Sequence, residues 1–334
     1  MFQIAVIGFG YWGPNLVRNF MAFPGAHVKY VCDRDPIRLS RAKALYPLIS
    51  TNYLLDDVLN DPSVDAVCIA TPVHTHYEIA MSALVAGKHV FVEKPITNNS
   101  DLAVKLIDEA EHRNLILMVD HTFVYTGAVR KIHEIVNETN FGKIQYYDST
   151  RVNLGIFQQD VNVLWDLAVH DLSIMLFILD DKPLCVSATG LSLAPGRPEY
   201  AAFLTVFFEN SIAHINVNWL SPVKIRRTLV GGSGKMIVFD DLESSEKVKI
   251  YDKGVSLSED PDEVHKLLIS YRLGDMIAPK LEENEALASA VSHFIACIEK
   301  NEKPLSSGKV GLEIVRILEA ADKSLSLKGS PIEL

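Results

Sequence analysis

Long apolar runs are missing from this chain of 334 residues. The run at 4–7, like the others, falls far short of the roughly 20 residues needed to span a bilayer. No membrane partner is therefore expected. Met1-Phe2-Gln3 leads straight into that run, without the basic stretch and cleavage site of a secretory signal, so the chain reads as cytoplasmic. Cysteine is scarce: Cys32, Cys68, Cys185 and Cys297 are the full set, and none are spaced C-x-x-C. Neither a zinc site nor a disulfide framework is suggested. Cys32 and Cys68 sit inside apolar strand-like runs, where a reduced thiol acts as a small buried hydrophobe, and all four are read as structural. Positive charge is in deficit, with 32 Lys and Arg against 42 Asp and Glu and a formal net charge of −10. A nucleic-acid groove needs a concentrated basic surface that displaces counterions, so no nucleic-acid partner is expected. Lys224, Arg226 and Arg227 are the one basic cluster, suited to a single phosphate group or to a solvated strand face.

What is present is a globular composition, 48% apolar and 22% charged. A single core rarely grows past roughly 250–300 residues, so two domains are expected. In the first third, short apolar runs alternate with helical patterns. Strands are expected over 2–7, 27–32, 65–70, 89–92 and 115–119. Helices are expected over 13–21, 36–46, 76–86 and 100–113, with Pro36 in a first turn and Ser100 as an N-cap. Apolar runs this short, separated by helices, mean parallel strands covered on both faces. After about Asp120 the rhythm changes. Strand-like segments at 144–153, 184–193, 200–208, 212–219, 224–230 and 235–239 follow one another through short turns, and 213–219 alternates strictly. That alternation marks an antiparallel sheet with one buried face. Helices are expected at 161–179, 283–300 and 310–325, and a polar surface excursion at 240–262.

Gly8-Phe9-Gly10-Tyr11-Trp12-Gly13 matches G-x-G-x-x-G, follows a strand and opens a helix, and Asp33 ends the second strand. In that context the hexamer is a Rossmann dinucleotide fingerprint. Gly8 permits a tight turn, Gly10 lets the backbone approach a pyrophosphate, and Gly13 lets helix and strand pack closely. Free N–H groups at the helix start face the phosphates. Asp33 accepts hydrogen bonds from the adenosine ribose and repels a 2′-phosphate, which favours NAD, while the adjacent Arg34 could tolerate NADP. The same glycines could serve a methyltransferase, but the remaining motifs do not fit one. The fold class is therefore α/β: an N-terminal Rossmann doubly wound parallel sheet over 1–121, then an α+β domain with an open, mostly antiparallel sheet over 122–334.

Hydride transfer from an alcohol needs a base for the hydroxyl proton and a group to stabilise the alkoxide. Histidine's unperturbed pKa lies near neutrality, so His170 can be the base. Asp166, four residues earlier, shares its helix face and can orient the imidazole or the substrate hydroxyl. Asp171 points away from that face. Lys94 is a cation at the C-terminal end of a parallel strand, where α/β sheets bind ligands. The roles of Lys94 and His170 could be exchanged, since a desolvated lysine can itself be a base. Tyr125, Arg151, Asn153, Trp165 and Arg227 are further candidates for substrate contact; otherwise they are core or sheet-surface residues. His74 and His76 have no third ligand beside them, so loop contacts are read there and no metal is expected.

Taken together, the glycine loop, Thr71-Pro72, Glu93-Lys94-Pro95 and Asp166-x-x-x-His170-Asp171 resemble the glucose–fructose oxidoreductase and inositol dehydrogenase family, Gfo/Idh/MocA, over essentially the whole chain. The resemblance implies that Lys94 is the family's active-site lysine and that Lys94-Pro95 is cis. It implies that Asp166 and His170 match the aspartate and histidine of the inositol dehydrogenase pattern. Thr71, Pro72, His74 and His76 would lie against the nicotinamide ribose, with Glu93 and Lys94 also at the cofactor. The second domain would bind substrate and join subunits through its sheet, as a homodimer or homotetramer. The segments 10–20 and 165–171 look like relatives that act on nucleotide sugars. The expected substrate is thus a sugar or polyol, foremost a nucleotide sugar such as a UDP-N-acetylhexosamine oxidised at C3. Inositol or a free hexose is the alternative, as is a non-catalytic NAD-sensing regulator on the same fold.

Overall fold

Strand β1 (Phe2–Ile7) buries its last four residues, and the glycine loop carries the chain from it into α1 (Gly13–Ala22). The alternation continues through β2 (Ala26–Cys32), α2 (Pro36–Leu45), β3 (Ser50–Asn52), α3 (Leu55–Leu59), β4 (Ala66–Ile69), α4 (His76–Val85), β5 (His89–Glu93), α5 (Ser100–His112) and β6 (Leu117–Asp120). The strands form a six-stranded sheet in the order β3-β2-β1-β4-β5-β6, parallel at every pairing. This is the doubly wound order, with its switch point between β1 and β4. Every residue of β4 and β6 is buried, which is why these runs show no polar alternation. Two short elements, β3 and α3, carry little apolar patterning and do not stand out in the sequence. The N-cap of α5 is Asn99, one residue before the expected Ser100: Asn99 is extended and its side chain accepts from the Leu102 N–H at 3.2 Å.

The structure is a computed structural model that describes residues 1–155, 161–194, 196–252, 254–256, 270–272 and 274–334. These fall into two units, Met1–Thr126 with Asn284–Arg316, and Gly127–Glu283 with Ile317–Leu334. In the second unit α6 (Gly127–Val136) precedes β7 (Ile144–Leu154), and α7 (Val169–Ile178) follows. Then come β8 (Cys185–Ser192), β9 (Glu199–Phe207), β10 (Ile212–Asn218), β11 (Leu220–Gly232), β12 (Met236–Asp240), β13 (Val248–Tyr251), β14 (Gly254–Ser256), β15 (Ser270–Arg272) and β16 (Met276–Ile277). With β17 (Ile332–Glu333) they build a nine-stranded sheet, β16-β13-β12-β11-β7-β10-β9-β8-β17, while β14 and β15 pair separately. Only β7 and β10 run parallel in the large sheet. In β10, Ala213, Ile215 and Val217 are fully buried while His214 and Asn216 are half-buried, as the alternation predicts. The 240–262 segment is not wholly an excursion, because β13 lies within it and pairs with β12; the residues at 253 and 257–262 fall outside the described set. Helix α6 buries Ala128, Val129, Ile132, Ile135 and Val136, a helical spacing the sequence reading passes over.

The sequence assigns everything after 121 to the second domain, yet α8 (Ala286–Lys300) and the start of α9 (Gly308–Ser326) belong to the first unit. The reason lies in one aromatic cluster. Phe294 on α8 is fully buried and meets Phe91 of β5 at 5.4 Å and Phe20 of α1 at 6.4 Å, with all three ring pairs edge-on. Removing a buried aromatic leaves a cavity that a rigid sheet cannot close. Phe294→Ala is therefore expected to cost about 3–5 kcal/mol of stability, read from denaturant unfolding. A loss below about 1 kcal/mol would show that α8 does not seal this core.

Candidate active site

The glycine loop is built by exclusion. Gly8 has φ +94, and a Cβ there would stand 2.6 Å from the Ala70 carbonyl oxygen. A Cβ on Gly13 would stand 2.3 Å from the Gly8 carbonyl oxygen. Within this turn Phe9 is fully buried, whereas Tyr11 and Trp12 are exposed and meet edge to face at 5.7 Å. Asp33 is buried and ties loop to strand: Oδ2 accepts from the Phe9 N–H at 2.7 Å and Oδ1 from the Asp35 N–H at 2.9 Å. A cleft of about 790 Å³ opens beside the loop, lined by Gly8, Asp33, Arg34, Thr71, Pro72 and His74 among others. That volume suits a cofactor, and the tight turn held by Gly8 and Gly13, neither of which has room for a Cβ, suits a pyrophosphate. Arg38 was not picked out from the sequence. It lines the same cleft, with Nη1 at 3.5 Å from Asp33 Oδ2.

His76 has a different task from the one expected. It is buried, with Nδ1 at 2.9 Å from the Pro95 carbonyl and Nε2 at 2.8 Å from the Thr71 carbonyl. Burial pushes its pKa below the ordinary value, with the two carbonyls opposing. It is a strut between the Thr71 loop and the turn after Lys94, not a group offered to a ligand. The Lys94-Pro95 bond is cis. Lys94 is half-buried just beyond β5. Glu93 before it is buried, and its carboxyl is hydrogen-bonded to that of Asp120 at the end of β6. Tyr125 is also spent internally: it is 2% exposed and its hydroxyl lies 3.0 Å from Ser306 Oγ.

In the second unit, Asp166 sits in a π-helical turn, Leu164–Ala168, that runs into α7. A π-turn takes more residues per turn than an α-helix. Four residues then fall near one full turn, so Asp166 and His170 remain on one side despite the altered winding. Trp219, at the end of β10, donates its indole N–H to Asp166 Oδ2 at 2.9 Å. Trp165 is not a substrate wall: it is 8% exposed and its indole donates to Asp322 Oδ2 at 2.7 Å. Asn162 bonds the other Asp322 oxygen at 2.7 Å, and its own carbonyl oxygen accepts from the Leu164 N–H. These contacts hold the turn in place.

Arg151 is likewise structural. It is buried and forks onto Asp171, Nε to Oδ2 at 2.6 Å and Nη2 to Oδ1 at 3.2 Å, and Ser149 Oγ joins Oδ1 at 2.7 Å. This pins the start of α7 to β7 at the residue next to His170. Asn153 is half-buried on the same strand as Arg151. Arg227 is exposed and paired with Asp240 at 3.2 Å, and Arg226 with Asp241 at 3.2 Å, so the basic cluster is largely neutralised by its neighbours. All four cysteines are free, and no metal-ligand cluster occurs among the described residues.

The cofactor geometry carries a direct test. Asp33 lines this cleft, and as the acidic residue after the second strand it is expected to face the adenosine ribose, so NAD is expected to bind more tightly than NADP, and Asp33→Ala to narrow that preference. Titration of both dinucleotides with wild type and variant checks it; tighter NADP binding by the wild type would refute the role of Asp33 and implicate Arg34.

Known proteins share this fold. Residues 2–121 match the model of an oxidoreductase family, NAD-binding Rossmann fold, and residues 134–334 match its C-terminal alpha/beta domain. The chain is 25% identical over 264 residues to UDP-N-acetylglucosamine 3-dehydrogenase of Acidithiobacillus ferrooxidans, covering 77% of each. It is 24% identical to the scyllo-inositol 2-dehydrogenase (NAD(+)) of Bacillus subtilis, over 99% of this chain and 96% of that one. A solved structure of the Acidithiobacillus enzyme superposes with TM-score 0.82 at 23% identity, over 97% of this chain and 98% of that one. GenD2 from gentamicin A biosynthesis in complex with NAD superposes with TM-score 0.83 at 21% identity, over 100% and 96%. At those identities the superpositions speak for the fold. No helix among the described residues is long and apolar enough to cross a membrane. With both of its domains matched, the chain belongs to the Gfo/Idh/MocA oxidoreductase family and is an NAD-dependent oxidoreductase acting on a CH–OH group.

Proposed function

We propose that the chain oxidises a nucleotide sugar, such as a UDP-N-acetylhexosamine, at C3. The observation that carries the chemistry is Asp166 fixed by the Trp219 indole one turn before His170. The shared 77% coverage with a UDP-N-acetylglucosamine 3-dehydrogenase supports the substrate class. The inositol reading is favoured by the fuller coverage of the scyllo-inositol enzyme and by the pairing of Arg227 with Asp240, which leaves less cation for a diphosphate. With four free thiols, the reading places the enzyme in the cytoplasm.

The Gly8–Gly13 loop, Asp33, Arg34, Thr71, Pro72 and His74 would hold NAD, which when bound supplies the hydride acceptor. His170 takes the hydroxyl proton onto its imidazole. Asp166 orients that imidazole or the hydroxyl. The Lys94 ammonium stabilises the alkoxide. NADH formation is expected to be fastest with UDP-N-acetylglucosamine among UDP-sugars, inositol and free hexoses. Faster turnover of inositol would transfer the assignment to the polyol, and NADH with none of them would favour a regulator. Lys94→Ala and His170→Ala should each lower turnover by roughly 10²–10⁴-fold while NAD binding survives. Wild-type turnover of His170→Ala across the pH range would remove histidine from the proton-transfer role.

We also propose a homodimer or homotetramer joined through the second unit's sheet. On β9, Ala202, Leu204 and Val206 are buried on one face. The other face exposes Phe203 at 49%, and by register Leu191 and Ile212 lie on that same side. A half-solvated sheet needs only one apolar face. Light scattering at micromolar concentration is expected to give a multiple of the chain mass, and a monomeric mass would refute the assembly.

A further inference from the structure

Strand register sets Glu93, the last residue of β5, beside Asp120, the last residue of β6. Both side chains are buried, Glu93 at 8% and Asp120 at 2% exposure, and their carboxyl groups are hydrogen-bonded to each other. Two ionised carboxylates have no proton to place between them, so such a contact requires one. Asp120 Oδ1 accepts a further bond from Thr122 Oγ1 at 2.9 Å, whereas Glu93 Oε1 is buried without a hydrogen bond among the described residues. A charged oxygen left in that state is costly, which assigns the proton to Glu93 and the charge to Asp120.

Among the described residues, the titratable groups bearing on this pair are Lys94 after β5, His121 after β6, Cys68 on β4 and Tyr125 in the turn beyond β6. Lys94 is the one cation among them. His121 is 1% exposed, with neither ring nitrogen hydrogen-bonded; burial, and then the charge of Lys94, push its pKa down to about 3, so it is neutral. Burial pushes the Cys68 thiol and the Tyr125 phenol up, so both are neutral as well. Burial first, and the neighbouring carboxyl second, raises the Glu93 pKa well above the ordinary range. The local sum is one cation against one shared-proton pair.

We propose that Glu93 and Asp120 share one proton, and that the single negative charge left on this buried dyad keeps Lys94 a cation and sets the pH at which it releases its proton. The two carboxyls are positioning residues that act through the lysine. Each negative charge at this sheet edge favours the ammonium over the neutral amine, so the number of protons on the dyad sets how firmly Lys94 holds its own. The consequence for turnover rests on the assignment of Lys94 above; the dyad itself does not.

Two measurements test this on the full chain. Infrared spectroscopy of the wild type, well above the pKa of an ordinary carboxylate, is expected to show the C=O stretch of a protonated carboxylic acid that disappears in Glu93→Gln. Absence of any such band in the wild type overturns the proposal, and needs no variant to fold. Second, competitive acylation of the Lys94 amine is followed across pH by mass spectrometry of its peptide, without turnover. Asp120→Asn removes the negative charge and so favours the neutral amine. The Lys94 midpoint is expected to fall by about one unit or more. An unchanged midpoint in Asp120→Asn overturns the proposal, whereas Glu93→Gln, which exchanges one neutral group for another, is expected to leave the midpoint nearly in place. The limb of the pH–rate profile that reports Lys94 is expected to move the same way. A midpoint that falls while the profile stays fixed supports the dyad and removes Lys94 from the reaction, so the two failures are distinct.

Discussion

A methyl group's worth of space governs the first unit. Neither Gly8 nor Gly13 could carry a Cβ without striking a backbone carbonyl, at 2.6 and 2.3 Å respectively. Those close approaches bring the ends of β1 and β4 and the start of α1 to one point, and they let the Phe9 N–H reach Asp33 just beyond β2. The loop is thereby fastened to three strands before any ligand arrives. The cleft beside it inherits its shape from that fastening, because its walls are the ends of the same strands and the loops after them. Preorganised backbone donors are what an anionic cofactor requires, and here they follow from two positions, Gly8 and Gly13, that tolerate no side chain.

The first sheet was legible because burial on both faces writes itself into the sequence. A strand such as Ala66–Ile69, wholly buried, has to be apolar throughout, and the helices between such strands have to be long enough to cross over. In the second unit the alternation of β10 betrayed a sheet with one covered face, and five of its six expected strands needed only small adjustments at their ends. What escaped was of two kinds. Elements too short to bury a pattern, β3 and α3, carry no signal of their own. The return of α8 to the first unit depends on Phe294 finding Phe20 and Phe91, a meeting of residues far apart in the chain that no local periodicity expresses.

The site was legible to the extent that it is written in contiguous motifs. Gly8, Asp33, Thr71 and Pro72 line one cleft, and the Lys94-Pro95 bond is cis as the resemblance implied. Several residues offered as ligand contacts turned out to be struts, and they share a physical character. His76, Tyr125, Arg151 and Trp165 are large side chains with polar tips, suited to grip a hydroxyl. The same character suits them to satisfy a carbonyl, a serine or a carboxylate inside the protein. Sequence alone cannot separate these uses, since both reward a polar atom at the end of an apolar stem.

The residues that were missed have a common origin as well. Trp219 is prominent as the end of an alternating strand, yet its importance lies in the N–H it delivers to Asp166, across 53 positions of chain. Asp120 reads as nothing more than the end of a strand until the register of β5 and β6 sets it against Glu93. In each case the catalytic candidate belongs to a motif while the group that conditions it comes from the neighbouring strand or the next domain element. A motif fixes which side chain faces the chemistry. The sheet fixes the charge and orientation with which that side chain arrives, because at the ends of packed strands one buried neighbour is enough to move a proton. The family motif and the sheet that presents it therefore carry different things, chemical identity and surroundings, and only the first of these is carried by contiguous sequence.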